Sequence, residues 1–239
     1  MKTSRRPAPR MHHVASLSRW PAALFPALVS LLTIVLLLGC ASKAEPLGPQ
    51  PGAGSFAFSQ DIGDVGTPGS LRYSADRGYE IAASGIDIWG ARDNFHFAYV
   101  EATGDATLQA QVDLGDATGE WFRKALLMFR VDTRLDSPHI SAVIHENGLA
   151  ALQYRPTPGA PTLELHASVT DPKILRVTRS EDRFTASFSV DGDTWDHVGP
   201  LQVELPRTAL LGIATSAHHE NRLARAYFSE VALETTDSD

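Results

Sequence analysis

The feature that most restricts the fold is a repeated alternation of apolar and polar residues in short runs. It is clear in residues 107–114, 139–145 and 183–190, with Gly, Asn and Asp between the runs. A period of two residues indicates strands with one buried face, and no convincing amphipathic helix interrupts the pattern. The sequence therefore predicts an all-β fold, a two-sheet antiparallel sandwich of about a dozen strands.

Two dipeptides, Asn147-Gly148 and Asp191-Gly192, predict tight hairpins. A two-residue hairpin of type I′ needs a positive φ at both central positions, which Asn, Asp and Gly tolerate best. The segment Ser189-Val-Asp-Gly-Asp-Thr-Trp195 also resembles the Asp-box hairpin of sialidases, although it is one residue shorter. The motif is structural in those proteins, so the resemblance implies that Trp195 packs under the turn.

The central strands are expected to carry polar side chains on one face. Writing 124–130 as a strand places Lys124 and Arg130 on one side, and the next two runs add His139, His145 and Arg155. Such a face is usually the solvated outer side of an antiparallel sandwich. The alternative is a shallow binding surface, because converging donors beside Trp residues are typical of ligand sites.

The N-terminus predicts export and lipid attachment. Basic residues precede an apolar run over 27–38, and the run ends in Leu37-Leu38-Gly39-Cys40, which resembles a bacterial lipobox. The resemblance implies a signal peptide over 1–39, acylation of Cys40 and an acyl anchor in the membrane. An uncleaved transmembrane helix is the alternative. With Ala41 after the cysteine, the expected location is the outer membrane of the cell envelope.

The remaining chain divides into three predicted segments. Residues 40–55 are a Pro- and Gly-rich tether, 56–234 the sandwich and 235–239 an acidic tail. Loss of 1–39 leaves 16 basic against 28 acidic residues, changing the net charge from −7 to −12. This charge argues against nucleic acid as a partner, so contact with the membrane must come from the lipid. The single cysteine excludes an internal disulfide.

Several short motifs resemble the concanavalin A-like lectin/glucanase superfamily, in particular its "regulation of enolase"-like modules. They include Gly85-Ile-Asp-Ile-Trp-Gly-Ala-Arg-Asp-Asn-Phe-His-Phe97, Lys124-Ala-Leu-Leu-Met-Phe-Arg130 and Gly212-Ile-Ala-Thr-Ser-Ala-His218. The resemblance extends from about residue 58 to 233. It implies a jelly roll of two curved sheets, but this superfamily includes lectins, carbohydrate-binding modules, glycanases and adhesion domains, so activity stays open.

Nine residues are the predicted ligand-binding set, because aromatic rings stack on sugars and charged groups bond hydroxyls: Trp89, Asp93, His96, Trp121, Lys124, Arg130, His139, Arg155 and His218. Each has a structural alternative. Trp89 would close one end of the sandwich, with Asp87 and Asp93 bonding loop amides. Trp121 would lie at the core edge, and the charged residues would pair across strands with Asp or Glu.

Catalysis and metal binding have less support. No strand carries the paired carboxylates of a glycosidase, and the spacing assigns no Ser/His/Asp set. No cofactor is predicted; calcium at Asp61 with Asp64, or at Asp87 with Asp93, is the alternative. The sequence predicts a lipid-anchored envelope protein whose jelly roll binds carbohydrate without catalysis. An envelope protein as the partner is the first alternative, and a glycan hydrolase is the second.

Overall fold

The computed structural model describes residues 50–116 and 118–236. Within these ranges the chain forms strands and turns and contains no helix. No helix of the described residues is therefore long and apolar enough to cross a membrane. The predicted signal peptide, Cys40 and the greater part of the predicted tether lie outside the described residues.

Seventeen strands are numbered in chain order. The first eight are β1 (Gln50–Pro51), β2 (Phe58–Ile62), β3 (Ser70–Ser74), β4 (Gly78–Gly85), β5 (Ile88–Trp89), β6 (Arg92–Asp93), β7 (Phe95–Thr103) and β8 (Asp105–Asp113). The others are β9 (Lys124–Arg130), β10 (His139–His145), β11 (Leu149–Arg155), β12 (Leu163–Thr170), β13 (Ile174–Ser180), β14 (Arg183–Ser189), β15 (Asp196–Gln202), β16 (Thr208–Ser216) and β17 (His219–Thr236).

Fifteen of these strands form two antiparallel sheets. Sheet A has the order β1-β2-β7-β16-β9-β10-β11-β12, and sheet B has the order β15-β14-β13-β8-β17-β4-β3. Strands β5 and β6 pair only with each other and form a short ribbon. The predicted all-β jelly-roll sandwich is confirmed.

The main core lies between the two sheets. Leu127, Ile140 and Leu211 of sheet A and Leu108 and Phe188 of sheet B belong to one buried cluster. Each alternates with a residue that points away from the facing sheet, as the period of two requires. Full burial of such a side chain contributes about 1.5–3 kcal/mol, so this layer stabilises the sandwich without a disulfide.

The centre of sheet A is buried on its outer face as well. All seven residues of β9 and all seven of β10 are buried. A second apolar cluster joins Leu126, Met128 and Val143 of this face to Phe97 and to Ile88 of the β5–β6 ribbon. The centre of this face is therefore not solvated, because the β5–β6 ribbon packs against it.

The two predicted type I′ turns are wrong in detail. Only Gly148 (φ 84°) and Gly192 (φ 86°) have positive φ, whereas Asn147 and Asp191 do not. In the β10–β11 hairpin, the Gly148 amide donates to the His145 carbonyl across a three-residue loop. A type I turn followed by a left-handed glycine has this form.

The second hairpin is held by side chains. The Asp191 carboxylate accepts hydrogen bonds from the amides of Asp193 and Thr194, both at 2.9 Å. The Trp195 indole donates to the Gly192 carbonyl at 3.0 Å. Trp195 therefore packs against its own turn.

The sandwich extends into both predicted terminal segments. Gln50 and Pro51 pair with Ser59 and Phe58, so the end of the predicted tether lies in sheet A. Strand β17 continues to Thr236, which pairs with Asp105. Residues 237–239 of the predicted tail are outside the described residues.

Candidate functional site

The β5–β6 ribbon connects two regions on the outer face of sheet A. Its end at Asp93 reaches a buried group of arginines, and the residues around Asp87 and Trp89 line a cavity. Ile88 packs between these regions in the outer apolar cluster. The ribbon forms because Gly90, with a φ of 56°, allows the chain to turn between its two strands.

The buried charge cluster consists of Asp93, Arg130 and Arg155. The Asp93 carboxylate accepts bonds from Arg155 at 2.6 and 2.7 Å and from Arg130 at 2.6 Å. All three side chains are 0 % exposed. Burial alone would raise the pKa of Asp93, but the Arg155 hydrogen bonds and the neighbouring positive charges outweigh it and lower the pKa.

The same two arginines hold the surrounding loops. Arg155 donates to the carbonyls of Gly90 at 3.0 Å, Ser137 at 3.1 Å and Ala160 at 2.9 Å. Arg130 donates to the carbonyls of Asp132, at 2.9 Å, and Arg134. These bonds satisfy guanidinium donors that Asp93 does not reach, as buried charges require. Asp93, Arg130 and Arg155 thus form a clamp that fixes the ribbon to sheet A.

His139 lies between the two arginines in the strand register. It pairs with Arg130 on β9 and with Arg155 on β11. Burial, together with the neighbouring guanidinium groups, lowers the pKa of His139 to about 3. Its Nε2 has no hydrogen-bond partner among the described residues. His139 is therefore a neutral part of the clamp region at neutral pH.

The cavity lies on the same face and has a volume of about 370 Å³. This size is within the range of small-molecule sites in proteins. Its lining combines aromatic, charged and amide side chains: Asp87, Trp89, Phe122, Lys124, His145, Leu149, Gln153, Glu164 and His218.

A chain of polar contacts crosses the floor of the cavity. The Lys124 ammonium lies 2.6 Å from Asp87 Oδ1 and 3.4 Å from Gln153 Oε1. The Gln153 amide donates to Glu164 Oε2 at 3.1 Å and lies 3.4 Å from His145 Nε2. Since both the oxygen and the nitrogen of Gln153 have partners, its amide orientation is set before any ligand arrives.

His145 is the neutral acceptor at the centre of this chain. Its Nδ1 lies 3.3 Å from the Phe122 carbonyl, to which only a protonated Nδ1 can donate. Its Nε2 is then free to accept from Gln153. Burial, and next the charge of Lys124, lower the pKa of His145 to about 4. The ring therefore adds no charge to the cavity at neutral pH.

Aromatic rings form the walls. Trp89 is 42 % exposed, and the Lys124 ammonium lies 5.9 Å from its ring centroid. The Phe122 ring contacts that of His218, with centroids 5.6 Å apart. His218 Nδ1 lies 3.6 Å from Asp87 Oδ2 and makes no hydrogen bond among the described residues. The aromatic walls thus stand beside the Asp87 carboxylate and the ring of His218.

The predicted ligand residues are distributed among four places. Trp89, Lys124 and His218 line the cavity. Asp93, Arg130, Arg155 and His139 belong to the clamp region and are buried. Trp121 is 68 % exposed and lies outside the cavity lining.

His96 is on the other side of sheet A. Its ring bridges Ser59 Oγ and Asp61 Oδ1, at 2.7 Å each, and Asp61 also accepts from the Gly69 amide. Hydrogen bonds join serine to histidine and histidine to aspartate in the same way in the catalytic triad of serine hydrolases. Ser59, however, is only 4 % exposed and does not line the cavity beside Trp89. The arrangement ties β2, β7 and the Gly69 loop together.

Several cavity residues were not in the predicted set. Gln153 and His145 share the face of Lys124 by strand parity, which the sequence contains. Glu164 reaches the cavity because it is opposite Gln153 in the β11–β12 register. Because that register depends on tertiary pairing, no periodic pattern in the sequence indicates Glu164. Phe122 reaches the cavity from a loop, which has no periodic pattern either.

The carboxylates suggested for calcium have other partners. Asp61 contacts His96, and Asp87 and Asp93 contact Lys124 and the two arginines. Among the described residues no cluster of three or more metal-ligating side chains occurs. Three of the four suggested aspartates are thus engaged by other side chains.

A larger cavity, of about 540 Å³, is lined by residues of both sheets. Its charged groups are largely matched, since Arg123 pairs with Glu146 and Lys173 with Asp171. Among its described lining residues, Tyr227 is the only Phe, Tyr or Trp. The smaller cavity beside Trp89 is the better candidate because it combines aromatic walls with converging polar groups.

No protein-family model and no curated protein matches this chain. Among solved structures, a functionally unknown protein from Saccharomyces cerevisiae is similar, with 22% identity and a TM-score of 0.58 over 72% of this chain and 95% of that chain.

The carbohydrate binding module CBM66 from Bacillus subtilis is also similar. The identity is 14% and the TM-score 0.51, over 77% of this chain and 100% of that chain. Identities this low show a shared fold alone. The sandwich therefore has the jelly-roll fold of a known carbohydrate-binding module.

Proposed function

We propose that the sandwich binds glycan in the cavity beside Trp89 and does so without catalysis. The observation that carries the proposal is the convergence of the Trp89 and Phe122 rings with Asp87, Glu164 and His218 around one opening. Aromatic faces stack on the apolar side of a sugar ring, and carboxylates accept bonds from its hydroxyls. The fold shared with a carbohydrate-binding module supports this assignment.

The ionised state of Glu164 favours glycan binding over glycan hydrolysis in this cavity. A glycosidase needs one carboxyl with a raised pKa to protonate the leaving group. Burial alone would raise the pKa of Glu164, but hydrogen bonds from His166 and Gln153 outweigh it and lower the pKa. Glu164 is therefore an acceptor at neutral pH rather than a general acid.

Titration calorimetry against a panel of oligosaccharides tests the proposal. The purified full chain is kept in a zwitterionic detergent, because sugar-headed detergents would compete for the cavity. Trp89→Ala should weaken binding at least about tenfold, as expected for an exposed aromatic anchor that the bound sugar would cover. Tyr73→Ala, a similarly exposed aromatic on sheet B, is the matched control and should bind normally.

Trp121→Ala separates the cavity from the wider surface. Because Trp121 lies outside the lining, its loss should change the affinity less than about threefold, or 0.7 kcal/mol. Equal losses of affinity in Trp89→Ala and Trp121→Ala would indicate that the glycan site includes the loop that contains Trp121. Normal binding by Trp89→Ala would refute the assignment.

An envelope protein is the second candidate partner. Trp121 and Phe122 are neighbouring exposed aromatic residues, at 68 % and 49 %, and exposed aromatics are enriched at protein interfaces. If the panel contains no ligand, crosslinking in cells through a photoreactive residue at position 121 should capture a discrete partner. Crosslinking that yields no discrete partner would exclude this alternative.

We also propose that the protein is anchored to the outer membrane through acylated Cys40. Support comes from the basic start, the apolar run and Leu37-Leu38-Gly39-Cys40. Mass spectrometry of protein from membranes should find a lipidated N-terminal Cys40, and density-gradient fractionation should place it with the outer membrane. An unmodified Cys40, or a chain that still begins at Met1, would refute the anchor.

A further inference from the structure

The charges around the cavity differ from those of a site for acidic sugars. Three formally charged side chains line it: Asp87, Lys124 and Glu164. His145, whose pKa is lowered to about 4, adds no charge at neutral pH. Counting the Asp, Glu and Lys side chains, the lining therefore has one more negative than positive charge, and it belongs to a chain with a net charge of −7.

The single cation of the lining is already engaged. Lys124 is buried, and its ammonium lies 2.6 Å from Asp87 and 3.4 Å from Gln153. Asp87 neutralises most of the charge that this ammonium would offer to a ligand carboxylate. Displacing Asp87 from it would leave a carboxylate without its cation, which is unfavourable in a partly desolvated site.

Glu164 presents a negative charge to an incoming ligand. Its side chain is partly exposed and its Oε2 accepts from Gln153, while Oε1 accepts from His166 at 2.8 Å. A sugar hydroxyl can donate to the remaining lone pairs of these oxygens. A sugar carboxylate has no proton to donate at neutral pH and would be repelled.

We infer that the cavity selects neutral glycans and rejects those whose sugars carry carboxylates, with Glu164 as the selecting residue. This inference rests on the proposed function. It assigns Glu164 two roles, acceptance of a hydroxyl and exclusion of an anion. Discrimination then arises from a repulsive group as well as from attractive contacts.

The experiment compares matched pairs that differ only at C6. Gluco-, galacto- and manno-oligosaccharides are titrated beside the corresponding glucuronate, galacturonate and mannuronate oligomers. For the pair that binds, the neutral member should bind at least tenfold tighter, equivalent to 1.4 kcal/mol. Glu164→Gln should reduce that ratio at least threefold. Glu101→Gln, on the exposed surface of β7, is the matched control and should leave the ratio unchanged.

Ionic strength provides a second measurement that needs no variant. Raising the salt concentration from 0.05 to 0.5 M should leave the affinity for the neutral oligosaccharide unchanged within twofold. It should also reduce the difference in affinity between the neutral and the acidic oligosaccharide, because salt screens electrostatic repulsion. Equal or tighter binding of the acidic member would overturn the inference and leave glycan binding in place. No binding to any member of either series would overturn both proposals.

Discussion

Replacement of Asp93 by Asn tests whether the clamp stabilises the fold as its geometry implies. The substitution keeps the side-chain shape but removes the only negative charge between two fully buried guanidinium groups. It also turns an amide donor toward one of them, in place of an oxygen now bonded at 2.6 or 2.7 Å. Breaking a buried ion pair on one side costs about 3–5 kcal/mol, because the remaining charge stays buried.

Urea unfolding, followed by far-ultraviolet circular dichroism, measures this cost. With an m-value of about 2 kcal/mol/M, a loss of 3–5 kcal/mol lowers the midpoint by about 1.5–2.5 M. Asp136→Asn is the control, since Asp136 is partly exposed and lies 4.0 Å from Arg134, so its loss should stay within about 0.5 kcal/mol. A decrease below about 1 kcal/mol for Asp93→Asn would show that the clamp is not needed for stability.

Three further predictions concern the clamp, the buried histidine and the buried serine. Arg155→Lys keeps the charge but loses the fork that joins Asp93 to the Gly90 carbonyl, so Trp89 should be less well positioned. Glycan affinity measured well below the unfolding temperature should fall roughly tenfold, and an unchanged affinity would contradict this role. In the unfolded state His139 has a pKa near 6.5, whereas in the folded state its pKa is lowered to about 3. The free energy of unfolding is therefore unaffected by this group above pH 6.5. It should decrease toward pH 4 by up to about 1.4 kcal/mol per pH unit from His139. Urea unfolding at several pH values should show a smaller pH dependence for His139→Gln. A fluorophosphonate probe should leave the protein unlabelled, because Ser59 is buried; labelling that disappears in Ser59→Ala would show an accessible nucleophile.

The alternation of side chains predicts the long central strands and their faces, but not the two-residue strands β1, β5 and β6 that bring the described total to seventeen rather than about a dozen. The pattern over 124–130 predicts one strand, and these residues form β9, with Lys124 and Arg130 on the face opposite Leu127. The same parity distinguishes His96 from Phe95 and Phe97, whose rings lie in the outer cluster. That signal was in the sequence, and it explains why His96 does not join the cavity.

The environment of the outer face could not be predicted in the same way. Alternation shows which residues share a face but not what covers that face. Here the β5–β6 ribbon covers it, which makes a clamp of Arg130, Arg155 and Asp93 and leaves a cavity beside Lys124. Ribbon placement depends on contacts between segments distant in sequence, such as Asp93 with Arg155, and no local pattern encodes them.

The most direct test of the glycan site uses the tryptophan indoles as reporters. The described residues contain Trp89 in the cavity, Trp121 in a loop and Trp195, whose indole bonds its own turn at Gly192. In a ¹H–¹⁵N correlation spectrum, titration with a neutral oligosaccharide should shift the Trp89 indole signal and leave that of Trp195 in place. An unchanged Trp89 signal at saturating ligand would contradict the proposed site.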